Sequence, residues 1–147
     1  MNESLTTLID SHRILVVGDI MLDRYWSGSV TRISPEAPVP VVSVDSVTEC
    51  VGGAGNVAAN IRSIGAQGCL LSVVGDDASG RLLNSLLAES GVDRHLHIDT
   101  ENRTTEKLRV VSQNQQLIRV DFEGAPSVSL TECVLDDYER LLAGVSV

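Results

Sequence analysis

Gly52-Gly53-Ala54-Gly55-Asn56-Val57-Ala58-Ala59-Asn60 reads as a glycine turn running straight into a helix of small residues. Glycines admit backbone conformations closed to other residues and let a ligand approach the main chain. The start of the helix adds unpaired N–H groups and a positive dipole end. Asn56 adds an amide that both donates and accepts, which suits a hydroxyl-rich ligand better than a bare anion. The plainer alternative is a packing turn, since paired glycines often do no more than connect two elements.

Outward from this turn the chain alternates. Ile14 to Val17, ended by Gly18-Asp19, has the continuous apolar pattern of a strand buried on both faces. Asp19 and Asp23 then fall at or just beyond that strand's C-terminal end, where open α/β sheets collect ligands, although a turn-forming Asp explains them as well. Pro35, Pro38 and Pro40 make the segment from Ser34 to Pro40 a stiff, extended connection, and Val41 to Val47 is strand-like. Ala54, Val57, Ala58, Ile61 and Ile64 recur at helical spacing and predict the inward face of a helix ending at Gly65. Cys69 to Val74 is a second buried strand. Leu82, Leu83, Leu86 and Leu87 line the next helix, closed by Gly91. Strand, helix, strand, helix predicts an α/β fold with a parallel sheet, because parallel neighbours need crossovers.

From Thr105 to Phe122 the rhythm changes to a hairpin with one apolar face, turning at Gln113-Asn114-Gln115. Lys107 and Arg109 alternate with its apolar residues and are either a solvated face or cations for a phosphate. Ser129 and Glu132 have capping-box spacing ahead of a last helix with the stripe Val134, Leu135, Tyr138, Leu141 and Leu142. Gly144 to Val147 has the look of a further strand beginning.

Composition narrows the function. The 147 residues are 43% hydrophobic, enough for a core, and carry a net charge of −9. That charge argues against sequence-independent nucleic-acid binding. Cys50, Cys69 and Cys133 form no paired framework and read as reduced thiols. With neither a signal-peptide pattern nor a spanning run, a cytoplasmic protein without membrane association is expected. His95 and His97 could face one side of a strand, but no third metal ligand stands out. Gly53 to Ala58 also satisfies G-x-G-x-x-A, so a nicotinamide dinucleotide-binding domain is a competing reading. The fingerprint belongs directly after a buried first strand, however, and here it follows the proline segment.

Gly18-Asp19-Ile20-Met21-Leu22-Asp23-Arg24-Tyr25, the segment Arg32 to Val42 and the Gly52-Gly53 turn with Asn56 resemble the ribokinase-like (PfkB-type) carbohydrate kinases. The proline segment, Lys107-Leu108-Arg109 and Asn114 to Phe122 are most similar to the D-glycero-D-manno-heptose 7-phosphate kinase branch, which serves ADP-heptose synthesis for the lipopolysaccharide core. The resemblance spans about Arg13 to Leu142. It implies an α/β sandwich of mostly parallel sheet with a small β lid, formed by segments near 24–47 and 104–122, and a sugar lying between lid and sheet. Asp23, Gly52, Gly53 and Asn56, with turn and helix at 52–65, would meet the sugar hydroxyls, and Asp19 is a further candidate. Lys107 or Arg109, on charge and position, would meet the sugar phosphate. The family's catalytic Asp, in a Gly-Ala-Gly-Asp motif near the C-terminus, has no counterpart here. The resemblance therefore implies an incomplete domain over 1–147, supplying the sugar-binding half and no catalytic residue or metal ligand. The complete enzyme would use ATP and Mg2+, neither held tightly by this chain, and would form a homodimer through the lid. The chain alone is expected to be inactive, and its terminal Val145-Ser146-Val147 run to favour self-association or partial melting. A non-catalytic sugar-phosphate-binding or dimerisation module is the third reading.

Overall fold

Cys69 to Val74, apolar but for Ser72, forms the middle of a sheet. The computed structural model describes residues 12–145. Its elements are β1 (Arg13–Val17), β2 (Ile20–Ile33), β3 (Pro40–Gly53), α1 (Ala54–Ser63), β4 (Gln67–Gly75), α2 (Ala78–Glu89), β5 (Asp93–Asp99), β6 (Glu106–Ser112), β7 (Gln115–Phe122), a 3-10 turn (Val128–Leu130) and α3 (Thr131–Leu142). One sheet is parallel with order β1-β4-β5, and the other is mixed with order β3-β2-β6-β7. The helical crossovers through α1 and α2 explain the parallel sheet.

Ile20, Leu22, Ala58, Leu70, Val74, Leu83, Leu87 and Val92 form the main core, where the bases of β2 and β3, both early helices and one face of the parallel sheet meet. Cys69, Leu71 and Leu141 form a smaller core under α3 on the opposite face. The period of two explains the split: even-numbered residues of β4 face one cluster and odd-numbered residues the other.

Four expectations change. Among the described residues β1 is an edge strand, with Ile14 39% and Val17 50% exposed, so burial on both faces belongs to β4 instead. Helix α1 buries Gly55 and Ala58 and leaves Val57 and Ile64 outside. Its small-residue face goes inward because a Cβ on Gly55 would collide with Val51, which admits only close packing there. Ser129 lies within the 3-10 turn, so α3 starts without a side-chain cap and the capping box is not made. Finally, Asp23 sits inside a strand, not past the end of one, because β2 resumes at Ile20 and runs 14 residues.

The mixed sheet follows its sequence more closely. The proline segment links β2 to β3, and Gln113 and Asn114 both take positive φ in the two-residue turn between β6 and β7. That geometry matches the twist of the flanking strands. Of the further strand expected from Gly144 to Val147, Gly144 and Val145 instead form a turn closing α3, with their N–H groups donating to the Leu141 and Leu142 carbonyls, and Ser146 and Val147 lie outside the described residues.

Candidate functional site

The glycine turn is pinned to the end of β1. Ala54 N–H donates to the Asp19 carbonyl at 2.9 Å, and the Ser72 hydroxyl donates to the Gly18 carbonyl at 2.7 Å. Gly53 takes φ +59°, and a Cβ there would strike the Asp19 carbonyl. The turn thus needs glycine for both conformation and space. Asn56 follows, exposed, on the first turn of α1.

Further along β2, at Asp23, the chemistry becomes charged. The Arg109 guanidinium on β6 donates to Asp23, and it lies 5.1 Å over the Tyr25 ring. The pair is mostly shielded, with side chains 17% and 18% exposed. The hydrogen bond to Asp23 holds the Arg109 pKa above its ordinary value against the opposing effect of burial. A Cβ on Gly52 would stand 2.5 Å from Asp23 Oδ2. Gly52 therefore leaves the room in which this carboxylate sits.

Beside this group a cleft of about 430 Å3 opens between the C-terminal ends of β4 and β5 and the base of the mixed sheet. Asp19, Met21, Gly75, Asn102, Arg103, Lys107 and Glu123 are among its walls. Lys107 Nζ lies 3.1 Å from Glu123 and 4.0 Å from Asp121. Two carboxylates brace the loop after β5. Buried Asp99 accepts from the backbone N–H groups of Ser127, Glu101 and Asn102. The Ser127 N–H above all holds its pKa well below the usual carboxylate range, against burial. Asp77 caps α2 by accepting from Gly80 N–H at 2.8 Å and also accepts from Thr104 N–H at 2.8 Å. Burial pushes the Asp77 carboxyl up, but these donors outweigh it and its pKa is lowered.

Of the residues singled out in the sequence, Asp19 and Lys107 line the cleft; Asp23, Gly52 and Arg109 form one contact group beside it; and Gly53 joins the two through the Asp19 backbone. Neither Lys107 nor Arg109 is a freely solvated charge. Asp77, Asp99 and Arg103 were not read from the sequence. The signals available were an Asp three residues before a glycine at a helix start, and an Asp closing a strand before a polar loop.

The dinucleotide reading fails on context. Its glycines follow β3, a strand antiparallel to β2, and Gly55 packs against Val51 and Ile20, not toward open space. His95 does gain neighbours: Cys69, Asp93 and His95 each place a ligand atom within 4.8 Å of the others. Arg13 already brings a cation there, donating to Asp93 at 2.7 Å and lying 3.6 Å from Cys69 Sγ. His97 instead meets Asp137 of α3 at 3.1 Å.

The model of the pfkB family carbohydrate kinases matches residues 11–143. A D-beta-D-heptose 7-phosphate kinase of Bordetella bronchiseptica is 49% identical over 143 residues, covering 97% of this chain and 46% of that protein. The bifunctional protein HldE of Coxiella burnetii is 52% identical over 137 residues, covering 93% of this chain and 29% of that protein. The chain thus spans less than half the length of these relatives. Among solved structures, a carbohydrate kinase from Agrobacterium tumefaciens superimposes with a TM-score of 0.64 at 22% identity, over 76% of this chain and 35% of that one. A fructokinase with bound ATP from Xylella fastidiosa gives 0.58 at 19% identity, over 76% and 33%. These two likenesses show the fold, a ribokinase-like mixed α/β arrangement with a parallel sheet and a second sheet. With a family match across nearly all of its length and half its residues shared with named sugar kinases, the chain belongs to the pfkB family of carbohydrate kinases.

Proposed function

We propose that this chain forms the sugar-recognition part of an ATP-dependent kinase that phosphorylates D-glycero-D-manno-heptose 7-phosphate at its anomeric hydroxyl, a step toward ADP-heptose. The observation that carries the reading is the shielded Asp23 carboxylate, braced by Arg109 and seated over Gly52 beside the turn that presents Asn56. A fixed carboxylate accepts from sugar hydroxyls, and an amide completes the set by donating and accepting. Gly53 supplies close approach to backbone, and Asp19 faces the same cleft. Phosphoryl transfer depends on holding the acceptor hydroxyl in line, so a rigid sugar platform contributes directly to rate.

ATP and a divalent metal belong to the family's chemistry. The cleft's donors do not fit a triphosphate with its metal: its cations are Arg103 and Lys107, and Lys107 is already paired with Glu123.

Homodimerisation through the lid is part of the same reading. Val47, Trp26, Val110 and Ile118 are cross-strand partners in one row over all four lid strands, and Trp26, Val47 and Ile118 are 37%, 54% and 55% exposed. Such a contiguous apolar band suits a second copy. No helix among the described residues is long and apolar enough to cross a membrane, in keeping with a cytoplasmic site for a sugar-phosphate kinase.

The test is a kinase assay on the gene product that carries this chain, with heptose 7-phosphate and ATP. Asp23→Ala and Asn56→Ala should each raise the sugar KM at least tenfold or abolish turnover. Unchanged kinetics in both variants would refute the assignment.

A further inference from the structure

Lys107 and Arg109 are the cations that sequence position nominates for the sugar's phosphate, yet both are committed to carboxylates. Arg109 donates to Asp23, and Lys107 lies between Glu123 and Asp121. A dianion brought to Lys107 would face both of those acids as well. Arg103 differs. Among the described residues it has no carboxylate within ion-pair distance, and its guanidinium lies 4.5 Å over the Phe122 ring at the wall of the cleft.

The backbone fixes this placement from both sides. Asn102 N–H donates to Asp99 at 3.1 Å, and Thr104 N–H donates to Asp77 at 2.8 Å, so Arg103 stands between two clamped residues. Asp77 feels the charge of Arg103, but its oxygens are already engaged by Gly80 and Thr104. A guanidinium braced on an aromatic ring keeps its forked donors free, and that fork matches phosphate oxygens.

We propose that Arg103 is the specificity residue that binds the terminal phosphate of the sugar phosphate, with Phe122 orienting it. The proposal rests on the sugar-kinase reading above and changes which cation carries the preference for a phosphorylated substrate. In this arrangement Asp23 and Asn56 meet hydroxyls at the glycine turn, while Arg103 meets phosphate across the cleft.

Calorimetric titration of the protein with heptose 7-phosphate and with unphosphorylated heptose tests it. The wild type should bind the phosphorylated sugar about tenfold or more tightly than the plain sugar, from a charge-assisted pair. Arg103→Gln should abolish that preference and leave affinity for the plain sugar within about twofold of wild type. Arg103→Lys should retain part of the preference, since charge survives without the fork. Matching melting temperatures for wild type and variants guard against a folding defect. If Arg103→Gln keeps the preference, the proposal is overturned and the kinase reading stands. A wild type that binds neither sugar, or both equally, overturns the kinase reading and the Arg103 assignment with it.

Discussion

Arg109 and Asp23 are 86 residues apart in sequence and share one ion pair across the parallel strands β2 and β6. The register that sets Tyr25 beside Arg109 and Asp23 beside Lys107 lets the guanidinium reach diagonally back to the carboxylate while stacking on Tyr25. Arg109 is thus a positioning residue for Asp23. Arg109→Ala would leave a shielded carboxylate without its cation and should cost about 1–3 kcal/mol of stability. It should also raise the sugar KM more than it lowers kcat. Arg109→Lys should recover stability only in part, because lysine lacks the fork and the flat stacking face. Equal stability of Arg109→Ala and wild type in urea titrations would contradict the role.

Gly52→Ala is expected to act through Asp23. The added methyl would stand 2.5 Å from Asp23 Oδ2, so the carboxylate must shift. Overpacking of this kind costs about 1–3 kcal/mol, and displacement of the acceptor should weaken sugar binding beyond that. Binding and melting measurements on the variant separate the two effects.

The acid side of the stability profile should depend on Asp99. Its folded pKa lies below the unfolded value, so ionised Asp99 stabilises the fold fully above the unfolded value near 4, and the contribution falls away as pH drops toward the folded value. Asp99→Asn should melt lower than wild type at pH 7, with the gap narrowing by pH 3. A gap that widens toward low pH would contradict the sign.

Removing the cap of α2 should be costly for two reasons. Asp77→Ala deletes the acceptor for Gly80 N–H and frees Thr104, which itself accepts from Gly75 N–H at 2.9 Å. Loss of the cap alone costs about 1–2 kcal/mol. Amide exchange should therefore quicken in both the first turn of α2 and the 102–104 loop.

On the mixed sheet, Trp26→Glu combined with Ile118→Lys should convert the proposed dimer to a monomer in sedimentation analysis, because both charges fall in the exposed apolar row. A dimer that persists would place the interface elsewhere.

Much of this fold is written locally. β4, α2 and the hairpin of β6 and β7 follow directly from apolar periodicity, and the glycine turn lies where its residues place it. Edges are not local. Ile14 to Val17 has the composition of a central strand, and only pairing decides that, among the described residues, β1 is flanked by β4 alone. Likewise Val57 and Ile64 satisfy helical spacing, but the close approach of α1 to Val51 and Ile20 favours Gly55 and Ala58 inside. The site divides in the same manner. Gly52, Gly53 and Asn56 are visible because glycine patterns are distinctive, whereas the partnership of Asp23 with Arg109 depends on strand register. Arg103 was hidden because a lone arginine in a polar loop carries no periodic signal.

The most direct measurement is calorimetric titration of the chain with heptose 7-phosphate, wild type against Asp23→Asn. Saturable binding by the wild type that weakens at least tenfold in Asp23→Asn, with both proteins folded, is the predicted result. Equal affinity in the two proteins, or no binding by a folded wild type, would contradict the claim that Asp23 and the glycine turn form the sugar site.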